Sequence, residues 1–356
     1  MQEQGKVIPV DAVPAETVSV TVSSDCPDWS EFLAAGGATI YQEPRWGEVM
    51  RRSYGSRPYY LTARKSGQVV GVLTLVAQKS LLFGSHLCSV PYFDAAGIVA
   101  SDDDARSALI LEAAALRRKV GAAHAELRQM QSLGDSIPAR TDKVTMWLDL
   151  PAEADALWKG FKAQVRNQVR KAEKAGMTAG QGGAEMLRDF HAIYVRNMRD
   201  LGSPPHSRRF FEDILATFPD AVRLFVVRRG EQAVAASLTL REKHTHHVPW
   251  AGSDWRFRRD CPNMLLYWSM LQEACRSGAR RFDFGRSTRD SGTFTFKKQW
   301  GAHEVPLFWH YLIPEGEALP ELRPDSPKYR LMVAAWKRLP LCLARTLGPC
   351  IIGKLP

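Results

Sequence analysis

The sequence lacks the long apolar runs and the leader pattern that mark membrane-spanning and exported proteins. No stretch approaches the roughly 18–20 apolar residues that a helix needs to cross a bilayer. Residues 1–30 contain no unbroken apolar run behind a basic start, so we expect no secretory signal. These absences predict a cytoplasmic protein.

Cysteine is scarce, with six residues in 356 and neither a CxxC pair nor a repeated spacing. This pattern argues against a disulfide framework and against a structural zinc site, and we expect all six to be small buried residues. His244, His246 and His247 are the remaining candidates for metal ligands. A strand would turn His247 away from the other two, and no Cys or acidic residue stands nearby at ligand spacing. We therefore predict no metal site.

Acidic residues are fewer than basic ones, 38 against 48, and the net charge is +10. Such a balance favours an anionic partner without choosing among phosphates, nucleotides, RNA and a membrane surface. The fractions of hydrophobic residues (45%) and charged residues (24%) are typical of a globular protein. A chain of this length can form two domains, each with its own core.

An internal repeat, at an offset of about 164 residues, organises the chain. Each copy begins with two short alternating runs joined by a turn, at Gly67 in the first copy and Gly230 in the second, which predicts a hairpin. A third strand, a helix and a further strand follow in the same order in both copies. In the first copy they are residues 81–90, 102–120 and 124–128; in the second they are residues 244–251, a helix from Asn263 as N-cap to Gly278, and 281–284.

These elements predict an α/β fold of the α+β type, in which each copy is a mixed, mostly antiparallel sheet flanked by helices. Between the copies we predict a helix from Pro151 to Gly176, a loop at residues 180–183 and a helix at residues 186–201. The expected domains are residues 1–150, residues 151–315 with the main site motifs, and a tail at residues 316–356.

The segment Phe282–Thr288 carries the strongest chemical signal. We expect a strand that breaks at Gly285 and presents Arg286, Ser287 and Thr288 on a loop, where α/β sheets usually bind ligands. Arg286 could bind a phosphate or carboxylate, and Asp283 could accept a hydrogen bond or act as a general base. The alternative is an internal pair between Asp283 and Arg286 that shapes the loop.

A second segment, Phe294–Gly301, places two lysines between aromatic residues. Lys297 and Lys298, with Gln299, could form an anion site beside a stacking wall, because an ammonium suits a phosphate or a developing oxyanion. The alternative is a solvated lysine pair on an edge strand.

A basic stripe marks the helix that follows residue 151. Lys162, Arg166, Arg170 and Lys174 recur every four residues on one face. Like charges at this spacing cost an isolated helix a few tenths of a kcal/mol per pair, and a bound anion would offset that cost. A merely solvated face explains the pattern equally well.

The last segment, residues 326–356, contains six basic residues and no acidic residue, interleaved with apolar residues and Trp336. Such a tail can lie on an anionic membrane surface, or it can dock on its own domain. Pro340 and Pro349 exclude one long helix.

Six passages, taken together, resemble a known family. They are Tyr41–Trp46, Arg166–Gly176, Met198–Pro204, Asn263–Trp268, Phe282–Thr288 and Phe296–Gly301. They resemble the FemAB-like branch of the GNAT acyltransferases, specifically the proteins associated with exosortase/PEP-CTERM exopolysaccharide systems. The resemblance implies tandem GNAT domains that transfer an acyl or aminoacyl group to an amine on a cell-envelope or exopolysaccharide precursor.

The resemblance also implies roles for particular residues. In the peptidoglycan members of the family a Phe-Lys pair contacts the end of the aminoacyl-tRNA donor, and Phe296-Lys297 matches that pair. Residues 151–200 contain no coiled-coil arm, and Ala251–Asp254 does not reproduce the pyrophosphate loop of enzymes that use acetyl-CoA. The donor therefore stays open between acyl-CoA, acyl carrier protein and aminoacyl-tRNA, and we expect no permanently bound cofactor.

We predict Asp283 and Lys297 as catalytic residues. The predicted partners are an anionic donor, a sugar or lipid-linked acceptor, and the inner membrane surface through residues 326–356; specific nucleic-acid binding is not expected apart from tRNA. One alternative is a non-catalytic, degenerate GNAT pair that binds a polysaccharide or lipid-linked intermediate. An RNA-binding protein is the second alternative and ranks last. The predicted substrate-binding residues are Arg286, Ser287, Thr288, Lys298, Gln299, Trp250, Asn263, Tyr267, Arg166 and Arg170.

Overall fold

The computed structural model describes residues 17–80, 84–320 and 327–354, which form two mixed β-sheets with helices packed on their faces. None of the helices in these ranges has both the length and the apolar composition needed to cross a bilayer. The strands are β1 (Ser19–Ser23), β2 (Arg57–Lys65), β3 (Gln68–Ser80), β4 (Gly84–Cys88), β5 (Val99–Ala100), β6 (Ala125–Gln129), β7 (Ala139–Arg140), β8 (Lys143–Asp149), β9 (Met177–Gly182), β10 (Val222–Arg229), β11 (Gln232–Glu242), β12 (Thr245–Ser253), β13 (Arg281–Thr288), β14 (His303–Pro306) and β15 (Phe308–Leu312). The helices are α1 (Ser30–Ala35), α2 (Arg45–Tyr54), α3 (Asp103–Lys119), α4 (Ala154–Gly160), α5 (Ala163–Lys174), α6 (Leu187–Leu201), α7 (Arg208–Thr217), α8 (Pro262–Arg276), α9 (Gly292–Gln299), α10 (Pro327–Lys337) and α11 (Leu341–Ile352).

The repeat predicted from the sequence is confirmed in the topology. The hairpin of β2 and β3 corresponds to the hairpin of β10 and β11, and both are antiparallel. In each copy a third strand leads into a helix, and the next strand returns parallel to that third strand: β6 lies parallel to β4, and β13 lies parallel to β12. The fold is the predicted α/β architecture with two mostly antiparallel sheets.

The two halves exchange one strand each, so the predicted division at residue 151 does not separate the sheets. Strand β8 follows the first copy in sequence but pairs with β13 in the second sheet. Strand β15 follows the second copy but pairs with β6 in the first sheet. Val144 and Met146 of β8 are fully buried in the core of the second sheet, and this burial favours the exchanged position. The exchange ties each half to the other through a backbone ladder.

A shared core between the sheets strengthens this connection. Trp46 and Phe93 from the first half pack in one cluster with Phe210 and Leu238 from the second half. All four side chains are at most 1% exposed. Burial of this apolar surface stabilises the joined halves, so relative movement of the sheets would disrupt the core.

Several predictions for the segment that joins the two copies, and for the helix after it, differ from the structure. The helix predicted from residue 151 is divided into α4 and α5, because Phe161 adopts an extended conformation and is buried. The glycine-rich segment predicted as a loop is the edge strand β9, which pairs with β10, because tertiary pairing overrides the weak strand propensity of glycine. Helix α7, whose N-cap is Ser207, was not predicted from the sequence. Helix α8 begins after Cys261 and not after the predicted cap, Asn263.

The cysteine prediction is only partly correct. Cys88 and Cys275 are buried, Cys261 is half-buried, and Cys26, Cys342 and Cys350 are exposed. All six are free thiols in the described part of the chain. The prediction that all six cysteines are buried is therefore wrong for Cys26, Cys342 and Cys350.

The predicted break at Gly285 is a β-bulge within β13. The pairing of β13 with β8 shifts register between Asp283 and Arg286, and β13 then continues to Thr288. Gly285 has φ = +75°, and a Cβ at this position would lie 2.9 Å from the carbonyl oxygen of Val248. Glycine is therefore required here both by the backbone conformation and by the close approach of β12.

Substitution of Gly285 by alanine tests this requirement against a matched position. Gly278 has nearly the same φ, +76°, but open space around a Cβ. We expect Gly278→Ala to lower the free energy of unfolding by about 1 kcal/mol and Gly285→Ala by roughly 2–4 kcal/mol, because only Gly285→Ala forces the backbone to move. Urea unfolding of both variants measures the difference. Equal losses would show that the contact with Val248 is unimportant.

Candidate functional site

Asp283 lies at the bulge and accepts hydrogen bonds from three donors. These are the Thr145 hydroxyl at 2.5 Å, the Gly285 amide at 2.8 Å and His247 Nδ1 at 3.1 Å. Burial alone would raise the pKa of Asp283, but the hydrogen bonds and charge of His247 outweigh burial and lower it. An ionised carboxylate with its oxygens engaged is a poor general base. These contacts make Asp283 a fixed part of the bulge, and its predicted catalytic role stays a prediction.

His247 is held between two carboxylates. Its Nδ1 faces Asp283, its Nε2 lies 3.4 Å from Glu242 Oε2, and the residue is 3% exposed. Burial alone would lower the pKa of His247, but the hydrogen bond to Asp283 and the negative charges of Asp283 and Glu242 raise it to about 9. The imidazole is thus a buried cation at neutral pH, compensated by two anions.

This charged cluster also connects the two halves of the chain. Glu242 Oε2 accepts a hydrogen bond of 2.8 Å from the Ile40 amide, and the ring of Tyr41 packs edge-on against His247 with centroids 5.0 Å apart. From its sequence context, His247 was a candidate only for a metal ligand, and Glu242, Thr145 and Tyr41 were not among the predicted site residues. The relevant signal is the pairing of His247 with Asp283 across β12 and β13, and this register is not visible in the sequence.

Lys297 is buried against the other side of the bulge. Its ammonium donates hydrogen bonds to the carbonyl oxygens of Gly285 and Arg286 at 2.8 and 2.7 Å, and the residue is 6% exposed. Burial lowers the pKa of Lys297 to about 8, although the nearby Asp283 and Asp94 favour its charged form. An ammonium has three protons, and these carbonyls accept two of them.

The second lysine of the predicted pair lies apart from the first. Both lysines lie on helix α9, and not on an edge strand. Lys298 is exposed, with its ammonium 5.2 Å from the centre of the Phe294 ring. Adjacent helical positions point about 100° apart, so Lys297 and Lys298 cannot form the expected double-lysine anion site.

Arg286 does not pair with Asp283. Its guanidinium forms an ion pair of 3.2 Å with Asp94 and lies 5.0 Å from the centre of the Trp309 ring. The side chain is 42% exposed, so it stays accessible to an anion from solvent. Asp94 and Trp309 belong to the first sheet and its loops, so this cation lies where the two halves meet.

An aromatic wall stands behind α9. Tyr267 stacks on Phe284 at 5.4 Å and contacts Phe296 at 5.0 Å between ring centres. The Ser287 hydroxyl oxygen and Asn263 Oδ1 are both buried, and neither has a hydrogen-bond partner in the described part of the chain. Gln299 instead approaches the Met264 sulfur at 3.5 Å.

Four predicted binding residues lie outside this site. Arg166 donates to the carbonyls of Trp158, Lys159 and Phe161 and so stabilises the end of α4. Arg170 is exposed above the Trp158 ring, Trp250 packs in the core shared by the sheets, and Thr288 accepts a hydrogen bond from Lys143. Their contacts explain all four as parts of the scaffold.

A cleft of about 760 Å³ lies on the first half, and none of the predicted site residues lines it. Its volume is suitable for a small ligand, but it lacks a cluster of interacting acidic and basic groups. The buried charged groups lie instead at the bulge, where Asp283, His247 and Lys297 converge.

Replacement of His247 by glutamine tests the charged cluster. The pKa of His247 is about 9 in the folded state against an ordinary value of 6.5, so its stabilising contribution is complete below pH 6.5 and disappears as the pH rises through 9. We expect His247→Gln to lower the free energy of unfolding by on the order of 3 kcal/mol at the acidic end of this window, with the loss shrinking towards the alkaline end. Urea unfolding between pH 6.5 and 9 measures the loss of unfolding free energy and its dependence on pH.

The neighbouring His246 provides a control with the opposite sign. Burial lowers its pKa to about 4, so its contribution is present above pH 6.5 and is lost as the pH falls through 4. His246→Gln should therefore leave the difference from wild type constant between pH 6.5 and 9. If both variants show the same alkaline dependence, His247 is not the buried cation.

Residues 159–298 match the family described as the acetyltransferase (GNAT) domain. A search of curated proteins found no match to the chain. Among solved structures, FemX is similar with 16% identity and a TM-score of 0.58, covering 78% of this chain and 94% of that chain. L-PGS from Bacillus licheniformis is similar with 12% identity and a TM-score of 0.55, covering 87% of this chain and 96% of that chain.

A tandem GNAT protein from the clavulanic acid biosynthesis pathway is also similar, with 14% identity and a TM-score of 0.50. It covers 83% of this chain and 97% of that chain. At these identities the likeness concerns the fold, and it agrees with the two related sheets described above. The chain thus shares the fold of FemX and of the tandem GNAT protein, and its residues 159–298 match the model of the acetyltransferase (GNAT) domain.

Proposed function

We propose that the protein transfers an acyl or aminoacyl group to an amine at the bulge in the second half. The observation that carries the proposal is the buried Lys297 ammonium, which lies against the backbone of Gly285 and Arg286. It belongs to the Phe-Lys pair that resembles the donor-binding pair of FemAB-like enzymes. Residues 159–298, which include this lysine, also match the acetyltransferase domain family.

The reaction requires few chemical groups from the protein. The acceptor nitrogen attacks the carbonyl carbon of a donor ester or thioester, an amide bond forms, and the carbon–oxygen or carbon–sulfur bond breaks. The proton of the amine passes to the leaving group or to solvent. Orientation of the two reactants then provides much of the rate, and a fixed cation stabilises the developing oxyanion.

Lys297 is the cation that suits this role. Its third N–H is not taken by the two backbone carbonyls, and its position is determined by them. Asp283 and His247 hold the bulge from the opposite side, so they position Lys297 without contacting the reacting atoms. Arg286, which is half-exposed above Trp309, would bind the anionic part of a donor or acceptor.

The donor and the acceptor are proposed by chemical class. Acyl-CoA, acyl carrier protein and aminoacyl-tRNA all carry phosphate groups, which suit the exposed guanidinium and the positive net charge. The acceptor is proposed to be an amine on a sugar or lipid-linked precursor of the cell envelope or an exopolysaccharide. No permanently bound cofactor takes part, and the proposed location is the cytoplasm, next to the inner membrane.

Substitution of Lys297 by alanine tests the proposal. We expect turnover to fall at least a hundredfold, because a preorganised donor to an oxyanion contributes roughly 3–4 kcal/mol to the transition state. For the wild type, turnover should also fall as the pH rises through about 8, where Lys297 loses its proton. Mass spectrometry of products from a panel of the three donor classes and amino-sugar acceptors measures turnover.

Lys298→Ala is the matched control, because Lys298 is exposed on the same helix with its ammonium over the Phe294 ring. This variant should keep wild-type activity and the same melting temperature. If Lys297→Ala remained folded and fully active, the assignment would be refuted. If the wild type bound a donor or a lipid-linked sugar without forming product, the non-catalytic alternative would replace the transferase.

A further inference from the structure

The last two helices, α10 and α11, carry charge of one sign. Residues 327–354 contain six basic residues and no acidic residue. Arg330, Lys337, Arg338, Arg345 and Lys354 have no carboxylate partner within the described part of the chain. These cations are therefore available to an external anion.

One face of this helical pair docks on the rest of the protein. Ala344 is fully buried, and Gly348 lies so close to Pro205 that a Cβ would approach its ring to 2.4 Å. The Tyr92 hydroxyl donates to the Ile352 carbonyl at 3.0 Å, and Arg199 donates to the Leu339 carbonyl at 3.0 Å. The two helices thus have a defined orientation, and their outer face is fixed relative to the body.

Both helices expose large apolar side chains. Leu343, Leu347 and Ile351 recur every four residues along α11 and are 46%, 46% and 40% exposed. On α10, Leu331 and Met332 are 72% and 55% exposed. These five account for most of the nine large hydrophobic residues that are exposed in the described chain, whereas the other four are dispersed. A concentration of this kind marks an interaction surface.

The cleft on the first half borders the end of α11 and extends the positive surface. Gly353 and Lys354 line it together with Arg57, Lys79 and Lys119, and none of its lining residues is acidic. Basic groups therefore continue from the helices onto the body of the protein.

We propose that the outer face of α10 and α11 is a docking surface for a membrane that contains anionic lipids. Its aliphatic side chains enter the boundary between headgroups and acyl chains, and its lysines and arginines contact lipid phosphates. The proposal is independent of the acyl-transfer proposal, because it concerns other residues and needs no turnover.

The chemistry of the surface favours a lipid over other anionic partners. Nucleic-acid surfaces are recognised by cations with aromatic stacking, but the exposed stripe on α11 is entirely aliphatic. Docking on an anionic membrane uses aliphatic side chains together with cations, and α10 and α11 carry both. A second copy of the chain would bring positive charge against positive charge, which disfavours self-association.

Vesicle flotation of the full chain tests the proposal. We expect binding to vesicles of phosphatidylcholine with phosphatidylglycerol and much weaker binding to phosphatidylcholine alone. The double variant Leu343→Ser, Leu347→Ser should bind at least roughly tenfold more weakly, because two half-exposed leucines no longer enter the lipid. Leu111→Ser, which changes an isolated leucine that is 71% exposed on α3, should bind like the wild type.

Charge reversal in the same vesicle experiment tests the contribution of the cations. Lys337→Glu with Arg338→Glu should weaken binding to the anionic vesicles by well over tenfold, since each basic residue near such a surface contributes about fivefold. Reversal of Lys171 and Lys174, two exposed lysines on α5, is the matched control and should have little effect.

Three outcomes would overturn the proposal: no binding of the wild type to anionic vesicles, equal binding to neutral vesicles, or unchanged binding of both tail variants. Size-exclusion chromatography tests whether a second copy of the chain, and not a membrane, occupies this surface. If the wild type were a dimer and the leucine variant a monomer, the face would belong to a second copy of the chain. Circular dichroism confirms that the variants are folded.

Discussion

The structure depends on one buried interaction, the imidazolium of His247 between the carboxylates of Asp283 and Glu242. Buried charges are costly unless they are paired, and here the cation lies between two carboxylates. The Thr145 hydroxyl and the Gly285 amide bond the second oxygen of Asp283, and the Ile40 amide bonds the Glu242 oxygen that faces His247. The cluster joins β11, β12 and β13 and reaches Ile40 in the first half. It is therefore both the electrostatic centre of the second sheet and a contact between the halves.

The exchange of β8 and β15 makes this arrangement possible. Strand β8 brings Thr145 to Asp283 from the first part of the sequence, and the bulge in β13 turns the Gly285 amide to the same carboxylate. On the other side of the bulge, Lys297 bonds the Gly285 and Arg286 carbonyls. Anion, bulge and cation form one unit, so a change in any of them alters the position of the others.

The two functional proposals use different parts of this scaffold. Acyl transfer uses a buried lysine whose position is set by backbone carbonyls, whereas membrane docking uses exposed side chains on helices fixed by Tyr92 and Arg199. A lipid-linked acceptor would connect them, because docking at a membrane raises the local concentration of such a substrate. The rigid core shared by the sheets would keep the docking face and the bulge in a constant relative orientation.

The sequence alone determined the duplicated order of elements, because alternating apolar residues, glycine turns and helix signals are local properties. It also identified the segment around Asp283 and the Phe-Lys pair. The strand exchange, the edge strand β9 and the role of His247 were decided only by tertiary structure, since strand pairing and register join residues that are far apart in the chain. For the same reason Lys298 and Arg166, which looked like anion ligands by spacing, are parts of a solvated face and a helix end. Residue types and local patterns predicted the scaffold, but the partners of each buried charge depended on long-range packing.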